Sequence, residues 1–193
     1  MGNSSLVIGR LVSDVTVLGI DPGLAVTGYG VLRDGRYVAH GTISSTPKEP
    51  LSERIALIGR QFDRLLLKYR PDACAVETLF FKAVGARSVI LAAQLRGGLF
   101  YILGRRGVPV TEITPATIKL TLTGNGRAAK SQMQYMARIL LGLPRPIPDH
   151  AADALAAAYC LTKRRVVTSA IRRSPVVRRS SSVIRHQSPV VGS

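Results

Sequence analysis

The sequence has no tryptophan and only two cysteines, and Arg96 interrupts its longest apolar stretch. Cys74 and Cys160 both lie in apolar surroundings, so we expect two buried free thiols in a reducing compartment rather than a disulfide framework. The interrupted stretch excludes a membrane-spanning helix. The N-terminus has no basic segment followed by an apolar one, so we expect no secretory signal. These absences predict a cytoplasmic protein.

Acidic residues are also scarce. The chain has 27 Lys and Arg residues against 11 Asp and Glu, a formal net charge of +16 and a pI of about 11.0. From Lys163 to Ser193 there are eight basic residues and no acidic one. The rest of the chain therefore still carries a charge of +8. This balance predicts a polyanionic partner, with nucleic acid the first candidate.

Three regions follow from composition. Residues 1–14 are interpreted as a flexible leader, and residues 164–193, rich in Ser, Arg, Val and Pro without a helical period, as a basic and disordered tail. Residues 15–163 are enough for one domain with a sizeable core. We therefore expect a single folded domain between two unstructured ends.

The apolar run from Val15 to Ile20 stops at Asp21-Pro22-Gly23, which is typical of a central strand buried on both faces. Segments 26–32 and 36–43 flank Asp34-Gly35, a strong hairpin signal. The remaining predicted elements are an amphipathic helix over 51–69, a strand over 73–76, a helix over 88–103, a strand over 109–113, and helices from 115, over 131–141 and over 149–163. This order predicts an α/β fold with a mixed five-stranded sheet and an antiparallel hairpin edge.

Three local patterns refine the helices. Thr114-Pro115 has the residue types of a helix N-cap and first position, and Ser131-x-x-Gln134 is interpreted as a capping box. The pair Gly97-Gly98 costs roughly 1 kcal/mol per glycine against alanine inside a helix. We therefore expect close packing at this pair, with a second subunit as one candidate neighbour.

Asp21 and Glu77 each follow an apolar strand. Ligands of open α/β sheets gather at the carboxyl ends of strands, so two acids delivered there indicate a shared site, although either alone could simply cap its strand. His150 and Asp153 lie three residues apart on one face of a helix rich in alanine. Asp149 also shares a face with Asp153, but its simplest interpretation is a helix N-cap.

Three carboxylates and an imidazole brought together would repel one another without cations, and hard oxygen ligands suit Mg²⁺ or Mn²⁺. Two such ions stabilise both the attacking and the leaving oxygen in phosphodiester hydrolysis. An acidic metal cluster at Asp21, Glu77, His150 and Asp153 in a basic protein therefore predicts a nuclease with two divalent cations per subunit.

The sequence resembles the RuvC Holliday-junction resolvases of the RNase H-like superfamily. The resemblance spans residues 17–159 and is carried by segments 18–24 (LGIDPGL), 26–31 (VTGYGV), 75–80 (AVETLF), 113–119 (ITPATIK), 129–132 (AKSQ) and 150–156 (HAADALA). It implies an RNase H-like sheet, a homodimer, and paired symmetric nicks in four-way junction DNA during recombination and repair. A branch-migration motor is a further candidate partner.

The resemblance also implies residue roles. Asp21, Glu77 and Asp153 match the acids of the family, while at the position of His150 many members have Asp and some have His. This departure predicts a stronger preference for Mn²⁺ than a four-acid site would have.

Phe80 matches an aromatic residue that acts on bases at the junction centre, and Lys119 and Lys130 match lysines near the scissile phosphate. Arg127 lies between these lysines in a Gly-Asn-Gly-Arg loop whose free amides and charges suit phosphate contacts. The alternatives without a function are that Phe80 is an aromatic residue of the core and that the basic residues belong to a solvated charged loop.

Three other interpretations each fit only part of the sequence. The segment 124–131 nearly matches a nucleotide-binding P-loop, but Ala129 replaces the second glycine. A non-catalytic DNA-binding protein would explain the charge and leave the acids unexplained. An actin-like phosphotransferase shares the first hairpin, but this chain lacks the length for a second such domain.

Overall fold

The computed structural model describes residues 15–79, 86–143 and 147–164. Five strands form one mixed sheet: β1 (Thr16–Asp21), β2 (Val26–Arg33), β3 (Arg36–Ser44), β4 (Ala73–Glu77) and β5 (Val110–Ile113). Their order is β3-β2-β1-β4-β5, with β1, β4 and β5 parallel and the β2–β3 hairpin antiparallel at one edge. The mixed sheet with an antiparallel edge predicted from the sequence is confirmed.

The hairpin turns at Asp34 and Gly35, whose φ angles are 50° and 76°. Positive φ at both central residues gives the turn a twist that matches the flanking strands, and Asp-Gly is a preferred pair for it. The turn therefore sets the β2–β3 register.

Five helices cover the sheet: α1 (Leu51–Tyr69), α2 (Ala86–Arg105), α3 (Pro115–Thr123), α4 (Lys130–Leu141) and α5 (Asp149–Lys163). Helices α1 and α2 pack on one face with Leu18 and Ile20 of β1. Helices α3, α4 and α5 pack on the other face with Val17. Because consecutive side chains of β1 enter different cores, the continuous apolar run is explained by a strand buried on both faces.

Small residues bring α5 close to the sheet. A Cβ atom added at Gly19 of β1 would collide with the carbonyl oxygen of Ala154, and one at Gly28 of β2 would collide with the carbonyl oxygen of His150. Glycine is therefore required at both positions unless the helix moves away. This close approach holds the first turns of α5 beside the carboxyl end of β1.

The predicted capping box at Ser131 is wrong. Helix α4 begins at Lys130, so Ala129 is the N-cap residue, and only the reciprocal half of the motif forms, with Gln132 Oε1 accepting from Ala129 N at 3.0 Å. The N-cap expected at Thr114 is present, since its side chain accepts from Thr117 N. The interpretation of Asp149 as an N-cap is also wrong, because it is the first residue of α5 and Pro148 precedes it as the cap.

The P-loop alternative fails on topology. The segment from Gly124 to Lys130 joins α3 to α4, whereas a P-loop joins a strand to a helix.

Close packing at Gly97-Gly98 is absent within the described part of the chain. Nothing lies within 4 Å of a Cβ added at Gly97, and the nearest atom to one at Gly98 is an Ile55 methyl carbon at an ordinary 3.4 Å.

Cys74 and Cys160 are both buried and free, as expected. Of the helices in the described ranges, none combines the length and apolarity that crossing a bilayer requires. The leader, most of the tail and Phe80 lie outside the described residues.

Candidate active site

Asp21 and Glu77 are the last residues of the neighbouring parallel strands β1 and β4. The strands are in register with Ile20 beside Val76, so the two acids stand at the same level of the sheet edge. His150 and Asp153 lie in the first turns of α5, which packs against β1 and β2. The structure therefore brings together all four residues that the sequence nominated.

The electrostatics of Glu77 show that the acids interact. Burial raises the pKa of Glu77 from its ordinary 4.5 to about 7, and repulsion from Asp153 and Asp21 adds to this effect. Lys119 and Arg96 act in the opposite direction. The site therefore destabilises the ionised form of this carboxylate, and a nearby cation would stabilise it.

Asp153 is subject to the same forces. Burial is the main cause of its raised pKa, and the charges of Asp21 and Asp149 contribute, while Lys130 opposes the shift. The side chain is 37% exposed, so the carboxylate remains open to solvent and to ligands.

His150 contacts Asp21 directly. Its Nδ1 atom lies 2.7 Å from Asp21 Oδ2, and the imidazole is 48% exposed. In the tautomer whose Nδ1 donates to the Asp21 carboxylate, Nε2 keeps its lone pair. The nitrogen that faces away from Asp21 is then the one able to bind a cation.

Asp149 is engaged elsewhere. Its carboxylate accepts from Lys130 Nζ at 2.9 Å and from Gln134 Nε2 at 2.6 Å. The hydrogen bond from Lys130 holds the pKa of Asp149 below its ordinary value. Lys130 also lies 3.8 Å from Asp153, so a single ammonium group bridges the two acids.

Two of the acids, Glu77 and Asp153, line a groove of about 430 Å³ together with Lys119 and Lys130. Both lysines predicted to contact DNA therefore line the same groove as these two acids. Arg127 lies outside it, exposed in the α3–α4 loop, where its backbone N–H donates to Asn125 Oδ1. The groove thus combines acidic and basic side chains.

A larger hollow of about 610 Å³ lies between α1 and α2. Its only carboxylate is Asp63, which forms a bidentate ion pair with Arg106 at 2.6 and 2.7 Å. A carboxylate engaged in this way is a poor metal ligand, so the smaller groove is the better candidate for hydrolytic chemistry.

Within the described residues, no three His, Cys, Asp or Glu side chains are arranged to hold a metal ion. Asp21 instead faces His150, and Asp153 faces Lys130. The donor set nevertheless fits a hard divalent cation, because it consists of carboxylates that repel one another and one imidazole.

Arg96 also contacts this site, although the sequence indicated it only as an interruption of an apolar stretch. The structure buries it, with Nη1 donating to the carbonyl oxygen of Glu77 at 2.6 Å. An arginine in the apolar middle of a helix was the available signal, because a buried charge requires partners.

Comparisons with known proteins find relatives of this chain. The family model "Crossover junction endodeoxyribonuclease RuvC" matches residues 17–161. Proteins of that name from Thermomicrobium roseum and Syntrophomonas wolfei are 43% and 44% identical to the chain over 148 and 149 residues, covering 75% of this chain in both cases and 90% and 86% of the relatives. The structure of Thermus thermophilus RuvC in complex with Holliday junction substrate superposes with a TM-score of 0.72 at 32% identity, covering 80% of this chain and 97% of that one.

Proposed function

The chain belongs to the RuvC family of crossover junction endodeoxyribonucleases, and we propose that the cluster of Asp21, Glu77, His150 and Asp153 beside the groove is the metal centre at which it cuts DNA. The protein is accordingly a metal-dependent nuclease that resolves Holliday junctions in recombination and repair. Its sheet is the RNase H-like sheet expected from the sequence.

One observation carries the placement of the metal centre: Glu77, whose pKa is raised by burial and then by the charges of Asp153 and Asp21, lies in a groove that lysines also line. Acids that are brought together at such a cost to their ionised forms mark functional sites more often than structural ones. We infer two divalent cations per subunit, Mg²⁺ or Mn²⁺, which would stabilise the attacking and leaving oxygens of phosphodiester hydrolysis.

The chain's own groups have separate roles in this proposal. The three carboxylates and the imidazole Nε2 of His150 would hold the cations, and Asp21 would orient the ring through Nδ1. Lys119 and Lys130, which line the groove, would contact the phosphate that is cut, and Asp149 pairs with Lys130 in the free protein. Arg127 contacts a more distant phosphate, and Phe80 acts on bases at the junction centre.

A homodimer would explain paired cuts, because two subunits related by a two-fold axis present two equivalent sites to a symmetric junction. Support comes from the exposed face of α2, where Ile90, Ala93, Gly97, Tyr101 and Gly104 form a stripe. Ile90 is 56% and Tyr101 66% exposed, and no atom in the described residues lies within 4 Å of a Cβ added at Gly97 or Gly104. Small residues beside apolar ones allow a second helix to approach closely, so we place the dimer contact here.

Two further parts of the proposal rest on sequence. Residues 15–163 are the nuclease domain, and the basic segment 164–193 adds nonspecific DNA affinity. A branch-migration motor remains a candidate partner, with no surface assigned to it.

The proposal is tested by incubating the protein with a synthetic four-way junction and with duplex of equal length, each with EDTA, Mg²⁺ or Mn²⁺. We expect junction cleavage only with a divalent cation, and products that a ligase reseals. Cleavage of the junction in EDTA, or equal cleavage of duplex, would contradict it. Duplexes with apurinic sites or mismatches serve as a control, because their cleavage would reveal contaminating nucleases.

A further inference from the structure

Arg96 is unusual because it is a charged residue inside the core. Its side chain is 8% exposed, and among the residues that the structure describes it is the only buried one that carries a formal charge. Removing a guanidinium from water is unfavourable unless partners replace the lost hydrogen bonds. The contacts of Arg96 therefore indicate why the helix carries it.

The shortest of these contacts reaches the end of β4. Nη1 donates to the backbone carbonyl oxygen of Glu77 at 2.6 Å, while on the other side of the same peptide bond Thr78 N donates to Ile113 O at 2.9 Å. Both polar groups of the peptide that follows the Glu77 Cα atom are thereby fixed. The direction of the Glu77 side chain depends on that peptide plane.

Two further contacts hold the guanidinium itself. Nη2 lies 3.0 Å from Glu112 Oε1 on β5, without the alignment of a hydrogen bond, and the group stacks over the Phe100 ring at 4.7 Å. Glu112 pairs with Val76 in the sheet, one residue before Glu77. Arg96 therefore joins α2, β4 and β5 at the point where β4 delivers its acid.

We infer that Arg96 is a positioning residue, which acts through the Glu77 backbone to hold that carboxylate in the orientation that binds a divalent cation. This inference rests on the proposed metal centre. Residues outside the ligand set that orient ligands in this way change metal affinity by roughly 10- to 100-fold when they are mutated.

Charge and position make different predictions for Arg96→Lys, which gives the inference a sharp test. If Arg96 acted only through its positive charge, Arg96→Lys would bind a divalent cation as wild type does. If Arg96 acts by holding the peptide, both variants bind the cation more weakly, because lysine lacks the planar fork that reaches the carbonyl and Glu112 together.

The measurement is Mn²⁺ affinity by calorimetry on the full chain without DNA, with thermal unfolding in EDTA recorded beside it. We expect Arg96→Met and Arg96→Lys to weaken Mn²⁺ binding at least about tenfold, and to raise the Mn²⁺ concentration for half-maximal junction cleavage by a similar factor. Arg105→Met, the same substitution at an exposed position of α2, should match wild type.

Wild-type Mn²⁺ affinity in Arg96→Lys, or weakened affinity only in proportion to lost thermal stability, would overturn the inference. If neither Arg96 variant folds, Glu112→Gln decides, since it loosens the guanidinium and leaves Arg96 in place. We expect it to weaken Mn²⁺ binding about threefold or more, and wild-type affinity would again overturn the inference. Glu77→Gln separates the two proposals, because unaltered Mn²⁺ binding in that variant would reject the metal centre itself.

Discussion

The Nδ1 atom of His150 lies 2.7 Å from the Oδ2 atom of Asp21, which joins the first turn of α5 to the end of β1 across 129 residues of sequence. The contact depends on the close approach of α5 to the sheet, which the glycines at positions 19 and 28 permit. A carboxylate that accepts from one ring nitrogen fixes the orientation of the other, an arrangement common around metal-ligating histidines.

Asp21→Asn should lower the rate of junction cleavage at least about a thousandfold, roughly 4 kcal/mol of barrier, because the amide is a weaker ligand for a hard cation. Junction binding should survive, since basic residues provide most of the affinity. Single-turnover cleavage and gel-shift binding measure the two effects separately. Near wild-type cleavage by protein free of contaminating nuclease would remove Asp21 from the centre.

Glu77→Gln should stabilise the metal-free protein at alkaline pH. The pKa of Glu77 is about 7 in the folded state and 4.5 ordinarily, so protonation favours folding, and wild type loses stability as pH rises from about 4.5 to about 7. The full shift corresponds to roughly 3 kcal/mol, and solvent screening of a partly exposed group reduces it to about 1–2 kcal/mol.

Urea unfolding in EDTA at pH 5 and pH 8 measures this effect. The variant should be more stable than wild type at pH 8, and the gap should shrink at pH 5. Glu49→Gln, at an exposed carboxylate before α1, is the matched control and should show no such gap. Adding Mn²⁺ should favour wild type, because binding stabilises only the fold that holds the cation. If wild type and Glu77→Gln were equally stable at pH 8, the pKa of Glu77 would not be raised in the folded protein.

Much of this fold was predictable because its signals are local. Asp34-Gly35 fixes the hairpin through its own backbone angles, and the apolar run before Asp21 indicates a buried strand. The start of α4 was misjudged for the opposite reason. Ser131 has the residue type of an N-cap, but the helix begins one residue earlier at Lys130, where Gln132 supplies the hydrogen bond to the cap residue.

The site was predictable only in part. Acids at strand ends follow from strand prediction, so Asp21 and Glu77 could be nominated without a structure. The roles of Arg96 and Asp149 depend on side-chain contacts between separate elements, such as α2 with β4 and α4 with α5. No local period encodes such contacts.

Gly97→Glu should convert a dimer into a monomer. The position is exposed on α2 with open space beside it, so the isolated subunit accommodates the side chain, and glutamate is a better helix former than glycine by somewhat under 1 kcal/mol. At a close helix contact, the same side chain would place a buried charge against its symmetry mate. Sedimentation velocity should show wild type at twice the variant's mass.

The matched control for that experiment is Ser52→Glu, at an exposed position of α1. It should remain dimeric and cut both strands. In the Gly97 variant, we expect the second nick to lose its coupling to the first on a supercoiled substrate with a cruciform. A dimeric Gly97→Glu protein would place the subunit contact elsewhere.

Deleting residues 164–193 removes seven arginines and no acidic residue. We expect the activity on junctions to stay within roughly tenfold of wild type at low salt, and the salt dependence of binding to weaken. Each lost phosphate contact removes about 0.9 from the slope of log affinity against log salt on duplex arms. Binding titrations between about 50 and 200 mM salt cover the useful range. A truncated protein that no longer folds or dimerises would instead make the tail structural.

The metal preference should follow from His150. An imidazole that replaces a carboxylate removes one negative charge and adds a nitrogen donor, which Mn²⁺ accepts more readily than Mg²⁺. Wild type should therefore cut junctions faster in Mn²⁺ than in Mg²⁺ at equal concentration, and His150→Asp should bring the two rates closer together.

Asp149→Ala is the companion variant, because Asp149 shares the helix face of Asp153 but already binds Lys130 and Gln134. We expect it to slow cleavage modestly and leave the metal ratio unchanged. If Asp149→Ala abolishes cleavage while His150→Ala changes neither the rate nor the ratio, Asp149 is the fourth ligand and His150 is a bystander.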